Sequence, residues 1–186
     1  GGNLYRETSF LLNSLNTKIA SDSLSIIENP FLDKGHSSSY FDGEGVSLKE
    51  RTVLDNGVLN GYFLSSYSAR KLEMQTTGNS GGPHNLIVGS SKKTLSELIQ
   101  GIDNGLLITE LLGHGLNMVT GDYSRGAAGF WIESGKIQHA VEEITIASNL
   151  KDMLLNIKAI GNDTYQNSSK YTGSIMIEPM TVAANS

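Results

Sequence analysis

The pattern of apolar and polar residues over positions 101–137 predicts antiparallel strands joined by tight turns. Apolar runs alternate there with glycines at short intervals, and no apolar stripe has the length and spacing of an amphipathic helix. Glycine permits the backbone conformations that such turns need. The clearest turn is Glu133-Ser134-Gly135, and the strand region continues to Ile146.

Helical spacing occurs in three other stretches. Apolar residues three or four positions apart predict a helix over Leu4–Ile19. A second helix follows Thr94, which forms a capping-box pattern with Glu97. A third begins at the capping residue Asn149 and is predicted to continue through Ile160 to Gly161. A single helical turn is also expected over residues 67–72.

Shorter strands account for the rest of the regular structure. The turn Asp55-Asn56-Gly57 predicts a hairpin, because Asn and Gly tolerate positive φ. The other predicted strands are Ser23–Glu28, Val46–Leu54, Val58–Leu64, Leu86–Val88 and, as the last of the fold, Gly173–Glu178. We therefore expect one α+β domain over residues 1–186. Its sheet is mostly antiparallel and twisted, either open or barrel-like, with two or three short covering helices.

Composition excludes several classes of function. The formal charge of −5 is poorly suited to neutralising phosphates, so we expect no nucleic-acid partner. The chain has no cysteine, hence no disulfide, no thiolate metal ligand and no cysteine nucleophile. No apolar run approaches the length of about 18 residues that a membrane span requires, and no signal peptide opens the chain. We expect a cytoplasmic protein that does not bind membranes.

The four histidines do not form a metal-binding pattern. His36, His84, His114 and His139 include no pair at the i, i+4 spacing of a helix, and no HExxH word occurs. His114 lies between two glycines in a predicted turn, where an imidazole faces solvent or bonds to backbone. We therefore predict no metal site in this chain.

The glycine-rich word around His84 is the best candidate for a binding loop. Residues 76–85, TTGNSGGPHN, could present several backbone N–H groups to an anion or to a peptide carboxylate. The word lacks the Lys-Ser or Lys-Thr pair of a phosphate-binding P-loop. The alternative is that this loop only turns the chain.

No catalytic constellation is complete, so we predict no catalytic residue. Ser124 lies near Asp122 but lacks the G-x-S-x-G context of a nucleophile elbow. An ion pair between Asp122 and Arg125 that stabilises the turn is the simpler interpretation. Asp42 and Glu44 could act as an acid–base pair, but carboxylates in a glycine loop more often only solvate it.

Five long words, in the same order, resemble the C-terminal domain of TldE/PmbA proteins. They cover most of the chain, which makes the resemblance specific. The words are YSARKL (67–72), TTGNSGGPHNL (76–86), GLLITELLGHGLNMVTGDYSRGAAGFWIESGKI (105–137), EITIASNLKDMLLNIKAIGND (143–163) and GSIMIEPM (173–180). Members of the family also have an N-terminal α/β domain that is missing here, so the resemblance implies a piece of a longer protein.

The resemblance implies a part in a cytoplasmic, heteromeric zinc peptidase. In that family the TldD-type subunit supplies an HExxxH helix and a C-terminal cysteine as zinc ligands, and the TldE/PmbA-type subunit has neither. The implied cofactor is therefore zinc in a TldD-type partner, with none bound by this chain. The implied substrates are unfolded or modified peptides. An older family label, modulator of DNA gyrase, gains no support from so acidic a chain.

Within the matching words, we expect five residues to contact substrate or a partner subunit: His84, Asn85, Asp122, Tyr123 and Arg125. The leading hypothesis is the C-terminal domain of a non-metal subunit that pairs with a TldD-type subunit or with itself. The alternative is a stand-alone module that binds a peptide or an anion without catalysis. A third possibility, an independent hydrolase using Ser124, has the least support.

Overall fold

Three open sheets and four short helices make up the fold in a computed structural model that describes residues 1–184. The helices are α1 (Gly2–Tyr5), α2 (Ser66–Lys71), α3 (Leu95–Gln100) and α4 (Leu150–Leu155). The strands are β1 (Ile26–Asn29), β2 (Arg51–Asp55), β3 (Val58–Leu59), β4 (Asn85–Val88), β5 (Asn104–Leu112), β6 (Asp122–Glu133), β7 (Lys136–Asn149), β8 (Ile157–Ile160), β9 (Lys170–Tyr171), β10 (Ile175–Ile177) and β11 (Thr181–Ala184). The α+β class is confirmed, and none of the sheets within residues 1–184 closes into a barrel.

The first sheet has the strand order β3-β2-β1-β4-β9, and every neighbouring pair is antiparallel except β4–β9. The predicted turn between β2 and β3 is confirmed, with φ of 45° at Asn56 and 80° at Gly57. A β-carbon at Gly57 would also collide with the carbonyl of Ala20. Glycine therefore serves here both the turn and a close approach of two backbone segments.

The second sheet has the order β11-β7-β6-β5 and is antiparallel throughout. Strands β6 and β7 form a long hairpin of 12 and 14 residues, connected at Ser134 (φ 49°) and Gly135 (φ 73°), as predicted. A third sheet of two strands pairs β10 with β8. Within residues 1–184 this small sheet forms no strand pairing with either of the two larger sheets.

The apolar core is divided unequally between the sheets. The main cluster joins β2 and β3 to β8 and consists of Ala20, Leu24, Leu54, Leu59, Ile157 and Ile160. A second cluster holds α1 and α2 together through Leu4, Leu64 and Ala69. The four-stranded sheet contributes a smaller cluster of three buried residues, Ala127, Ile144 and Ile146. The side of the molecule built on this sheet is therefore the less covered one.

The helix predicted over Leu4–Ile19 is wrong. Only Gly2–Tyr5 is helical, and the chain then turns repeatedly through positive φ at Glu7 (58°), Asn13 (55°) and Asn16 (60°). A left-handed residue interrupts a right-handed helix. The segment is held instead by long-range bonds, such as Phe10 N to the Met118 carbonyl at 2.8 Å.

Two predictions near the C-terminal end also need correction. Helix α4 begins at its predicted Asn149 cap but ends at Leu155, and the following residues form strand β8. Packing in the main apolar cluster, against Leu54 and Leu59, buries the side chains of Ile157 and Ile160, which explains why apolar residues continue beyond the helix. The strand predicted to end the fold is followed by a further one, β11, which pairs with β7.

Within residues 1–184, none of the helices has the length and apolarity to cross a membrane.

Candidate functional site

Both ring nitrogens of His84 lie beside backbone carbonyl oxygens, and its backbone N–H is bonded to a carboxylate. Its ring nitrogens Nδ1 and Nε2 lie 3.1 Å from the Ser37 carbonyl oxygen and 3.2 Å from the Gly78 carbonyl oxygen. Its backbone N–H donates to Glu28 Oε1 at 2.8 Å. The imidazole therefore links the Ser-rich loop of residues 34–45 to the glycine loop of residues 76–85.

Asn85 has no exposed surface, and its amide is fully used. Its Oδ1 accepts from the backbone N–H of Ser37 at 2.9 Å. Its Nδ2 donates to the Asn29 carbonyl at 3.0 Å and to Ser38 Oγ at 2.9 Å. The side chain therefore fixes the Ser-rich loop on the end of β1, and it offers no free polar atom to a ligand.

A buried ion pair lies beneath these loops. Glu28, 2% exposed, accepts from Arg51 Nε at 2.7 Å and from Asn79 Nδ2 at 2.7 Å. Arg51 also donates to the Tyr62 carbonyl at 3.0 Å and to Asn79 Oδ1 at 3.1 Å. Each buried charge thus has an opposite charge and further hydrogen bonds, which burial requires. Little in the sequence indicated this pair, because Glu28 and Arg51 lie on strands that carry other polar residues as well.

Asp42 is buried, and the prediction that it solvates its loop is wrong. Its carboxylate accepts from the backbone N–H groups of Ser80 at 2.9 Å, Glu44 at 2.8 Å and Val46 at 3.0 Å. Burial alone raises the pKa of Asp42, but these bonds and the nearby His84 outweigh it and lower the pKa overall. We call the set Glu28, Asp42, Asn79, His84 and Asn85 the loop clasp.

The predicted ion pair between Asp122 and Arg125 is wrong. Asp122 instead accepts from Thr120 Oγ1 at 2.6 Å and from Asn149 Nδ2 at 3.1 Å, and these bonds lower the pKa of the Asp122 carboxyl. Arg125 Nη2 donates to the carbonyls of Leu111 at 3.2 Å and Gly113 at 2.7 Å. Residues three apart on a strand point to opposite faces, so the two charges cannot meet.

Arg125 supports an exposed apolar end of the β5–β6 connection. Tyr123 forms a bridge to Leu116 in the same connection, which returns against the start of β6. We call the exposed apolar residues here the apolar tip: Leu111, Leu112, Leu116, Met118 and Val119, each between 41% and 53% exposed. Apolar side chains grouped in this way are typical of a contact surface.

The five predicted site residues therefore fall into two groups on different sheets. His84 and Asn85 belong to the loop clasp, and Asp122, Tyr123 and Arg125 lie on β6 beside the apolar tip. Over residues 1–184 we find no hydrogen bond between the groups and no cluster of three or more metal-ligating side chains. His139 lies exposed on β7, and His114 lies exposed in the connection from β5 to β6.

Comparison with known proteins agrees with this architecture. Residues 1–184 match the family model described as the PmbA/TldA metallopeptidase C-terminal domain. The chain belongs to this metallopeptidase family. It is 46% identical over 183 residues to "Metalloprotease PmbA" of Escherichia coli O157:H7, covering 98% of this chain and 41% of that protein. It is 23% identical over 167 residues to a "Metalloprotease TldD homolog" of Buchnera aphidicola, covering 84% of this chain and 35% of that one.

Solved structures of the family share the fold. A candidate modulator of DNA gyrase from Bacteroides thetaiotaomicron superposes with a TM-score of 0.94 at 38% identity, covering 99% of this chain and 42% of that one. TldE from Thermococcus kodakarensis superposes with a TM-score of 0.87 at 25% identity, covering 98% and 45%. The chain spans about two fifths of the length of the curated relatives it matches.

Proposed function

We propose that this chain is the C-terminal domain of a non-metal subunit in a TldD/TldE-type zinc peptidase that acts on unfolded or modified peptides. The observation that carries the proposal is the gradient of identity within the family. The chain is 42–47% identical to proteins named PmbA or PmbA homolog, against 23% to those named TldD homolog. In this proposal zinc and the catalytic residues belong to the TldD-type partner.

The apolar tip is the surface through which we propose contact with the partner subunit. Its five side chains are exposed together, and Phe10 N–H bonds to the Met118 carbonyl at 2.8 Å, which ties the tip to the N-terminal segment. Arg125 holds the carbonyls of Leu111 and Gly113, so it fixes the shape of the tip. Burying an apolar surface that is already ordered costs less conformational entropy than burying one that must become ordered on binding.

The other predicted site residues receive different proposed roles. Asp122 anchors the end of the tip connection through Thr120 and Asn149, while Tyr123 packs against the apolar cluster of the four-stranded sheet. We assign His84 and Asn85 to positioning the two loops, because their polar atoms are already bonded within the chain. Substrate contact through these loops then comes from neighbouring atoms that they hold in place.

Co-expression with an HExxxH-bearing subunit tests the proposal. We expect a stable complex with zinc in the partner polypeptide and none in this chain, measured by metal analysis of the complex and of each chain alone. Leu116→Asp with Val119→Asp should weaken the complex, because two charges would be desolvated at the contact. Tyr165→Asp is the matched control, since Tyr165 is 60% exposed and far from the tip in sequence.

Two results would contradict this assignment. One is zinc bound stoichiometrically by this chain alone. The other is peptide cleavage by this chain alone that disappears on Ser124→Ala.

A stand-alone binding module is the second candidate function. It is favoured by Gly81 and Gly82, whose φ values are 107° and 112° and beside which a β-carbon would meet no atom within 4 Å. Gly81 borders a small pocket of about 330 Å³ that also includes Ser65 and Ser80. This candidate predicts that inorganic phosphate or a short peptide shifts the Gly81 and Gly82 amide signals in NMR spectra. Under the leading proposal inorganic phosphate leaves those signals unchanged, because the ligand of this loop is then a peptide.

A further inference from the structure

Asparagine is followed by glycine at three places in the chain, and the fold gives each place a different setting. The three pairs are Asn56-Gly57, Asn60-Gly61 and Asn104-Gly105. An asparagine before glycine can lose its side-chain amide without an enzyme, because the backbone nitrogen of the glycine can attack the side-chain carbonyl carbon. Glycine has no side chain to shield this nitrogen. The rate then depends on how firmly the fold holds the peptide group between the two residues.

The peptide group between Asn56 and Gly57 is held in its turn. Gly57 is buried, and its N–H donates to the Leu24 carbonyl oxygen at 2.9 Å. The Asn56 side chain is bonded as well, since its Nδ2 donates to Asp55 Oδ1 at 2.9 Å. An attack on the Asn56 side chain would have to break both bonds first, which slows it.

The peptide group between Asn104 and Gly105 is held by strand pairing. Both residues belong to β5 and lie opposite Glu133 and Ile132 of β6. The extended backbone of a strand turns the nitrogen of each residue away from the side chain that precedes it. The Gly105 nitrogen reaches the Asn104 side chain only if the pairing opens at this end of β5.

The peptide group between Asn60 and Gly61 is held in neither way. Asn60 is exposed, and both residues lie in the irregular segment 60–65 between β3 and α2. Among the atoms of residues 1–184, no hydrogen-bond partner contacts the Asn60 carbonyl, the Gly61 N–H or the Asn60 side chain. This peptide group therefore rotates without the loss of a bond.

We propose that Asn60 is a site of spontaneous modification, at which the chain converts this asparagine into isoaspartate and aspartate. The Gly61 nitrogen loses its proton and bonds to Asn60 Cγ, while the side-chain amide nitrogen takes up a proton and leaves as ammonia. Water then opens the five-membered imide that has formed. Opening at the former backbone carbonyl gives isoaspartate, and opening at Cγ gives aspartate. The reaction needs only water and this chain's own atoms, so it does not depend on the peptidase assignment.

The guanidinium group of Arg51 favours the attack at this position. A β-carbon at Gly61 would lie 2.8 Å from Arg51 Nη1, so the positive charge lies beside the Gly61 backbone. The attacking species is the deprotonated backbone nitrogen, which is an anion. A positive charge at short range stabilises an anion. The same charge therefore assists the reaction at Asn60 and is expected to make it faster than exposure alone would.

The isoaspartyl product would disturb the segment that holds the buried ion pair. On one side of the modified bond, the Asn60 N–H donates to the Val53 carbonyl at 2.9 Å. On the other side, the Tyr62 carbonyl accepts from Arg51 Nη1 at 3.0 Å. Isoaspartate adds one methylene group to the main chain between these two fixed points. The added length strains or breaks one of the two bonds, and Arg51 is the partner of Glu28.

Incubation of the chain at mildly alkaline pH, followed by digestion and mass spectrometry, measures the conversion of each asparagine. In the folded chain we expect Asn60 to convert at least about tenfold faster than Asn56 or Asn104. In urea that unfolds the chain, the three rates should become similar, because each asparagine precedes a glycine. Equal rates in the folded chain would overturn the proposal. A preference for Asn60 that persisted in urea would also contradict it, since the fold would then not be the cause.

A matched pair of variants locates the reaction. Asn60→Gln should abolish the fast release of ammonia, because glutamine must close a six-membered ring and does so more slowly. Asn104→Gln makes the same change at another exposed Asn-Gly pair and should leave the fast release unaltered. Circular dichroism verifies that both variants are folded. Fast release of ammonia from Asn60→Gln would show that the reactive asparagine is a different one.

Thermal melting tests the consequence for the fold. The isoaspartyl chain, separated from the unmodified chain by chromatography, is compared with the variant Asn60→Asp, which carries the same charge on an ordinary backbone. We expect the isoaspartyl chain to melt at least about 2 °C lower than Asn60→Asp. Equal melting temperatures would mean that the segment accommodates the added methylene group, and the proposed effect on the Arg51 contact would be wrong.

Discussion

The two larger sheets of this chain are stabilised in different ways. Every buried polar or charged side chain among residues 1–184 lies between residues 28 and 85, in the half that carries the five-stranded sheet. None lies on β5, β6, β7 or β11. The first half is cross-linked by side chains that satisfy one another, whereas the second is held by its strand ladders and a small apolar cluster.

This difference suits the two halves of the chain to different roles. A buried polar network specifies one arrangement of its loops, because every unmade bond in a low-dielectric interior is costly. The loop clasp therefore makes its half a rigid scaffold. The four-stranded half has, within residues 1–184, an edge strand without a partner on its outer side, and it carries the apolar tip, the surface on which we base the proposed contact.

The largest expected effect comes from breaking the buried ion pair. Glu28→Ala leaves Arg51 without its carboxylate in a site where the two side chains are 2% and 13% exposed. We expect a loss of about 3–5 kcal/mol in the free energy of unfolding, measured by urea denaturation. The control is Glu142→Ala on β7, where the side chain is exposed and the change should stay within about 0.5 kcal/mol.

Glu28→Gln sharpens this test. The amide keeps the shape of the carboxylate and removes its charge, so a loss smaller than that of Glu28→Ala is expected. If Glu28→Ala and Glu142→Ala lowered the free energy of unfolding equally little, the buried ion pair would not contribute to the difference between the two halves.

The features that sequence could predict are those fixed by neighbouring residues. The turns at Asn56-Gly57 and Ser134-Gly135 depend on residues that tolerate positive φ, and both form as predicted. The capping box of Thr94 and Glu97 likewise involves atoms three residues apart, and both of its bonds are present. Local chemistry decides these structures whatever the rest of the chain does.

The features that sequence could not predict depend on distant partners. Glu28 meets Arg51 only because β1 and β2 pair in the register that sets these two residues opposite each other. The glycine-rich word drew attention to His84, but its bonds to Ser37 and Gly78 depend on how two loops approach each other. The groove between the four-stranded sheet and the β8–β10 sheet is lined by segments from residues 95 to 182, and no sequence motif marks it.

A smaller effect is expected from Asp42, the clasp residue that joins the two loops by backbone bonds. Asp42→Asn should cost about 2 kcal/mol, since three N–H groups lose a charged acceptor. The pKa of Asp42 is lowered in the folded chain. Its stabilisation is therefore complete above the pKa of the unfolded state, about 3.9, and is lost as pH falls towards the lower folded value.

Urea titrations at pH 7 and near pH 3 check this prediction. The difference in unfolding free energy between the original chain and Asp42→Asn should shrink at the lower pH. A difference that grows on acidification would show that Asp42 is not stabilised as a carboxylate.

A cap on α3 tests the boundary between the halves, because α3 lines the groove between the four-stranded sheet and the β8–β10 sheet. Thr94 Oγ1 accepts from the Glu97 N–H at 3.2 Å, so Thr94→Ala should cost about 1 kcal/mol. Ser96→Ala is the control, since Ser96 is exposed within the same helix and caps nothing. Differential scanning calorimetry compares the two. Equal melting temperatures would mean that α3 is held by its buried Leu98 and not by its cap.

The smallest expected effect tests whether the burial of an ion pair, and not its place in the first half of the chain, decides how much it stabilises the fold. Lys18 and Asp22 form an ion pair at 2.7 Å, the same N–O distance as between Arg51 and Glu28, but the side chains are 51% and 77% exposed. Water and salt screen an exposed pair, so Asp22→Asn should cost less than about 0.5 kcal/mol in urea denaturation, and less still at high salt. A cost comparable to that of Glu28→Ala would mean that the first half is stabilised by its ion pairs as such. A negligible cost assigns the contrast between the halves to the buried network, because Glu28 is both excluded from water and bonded to Asn79 and His84, whereas the exposed pair of equal N–O distance is not.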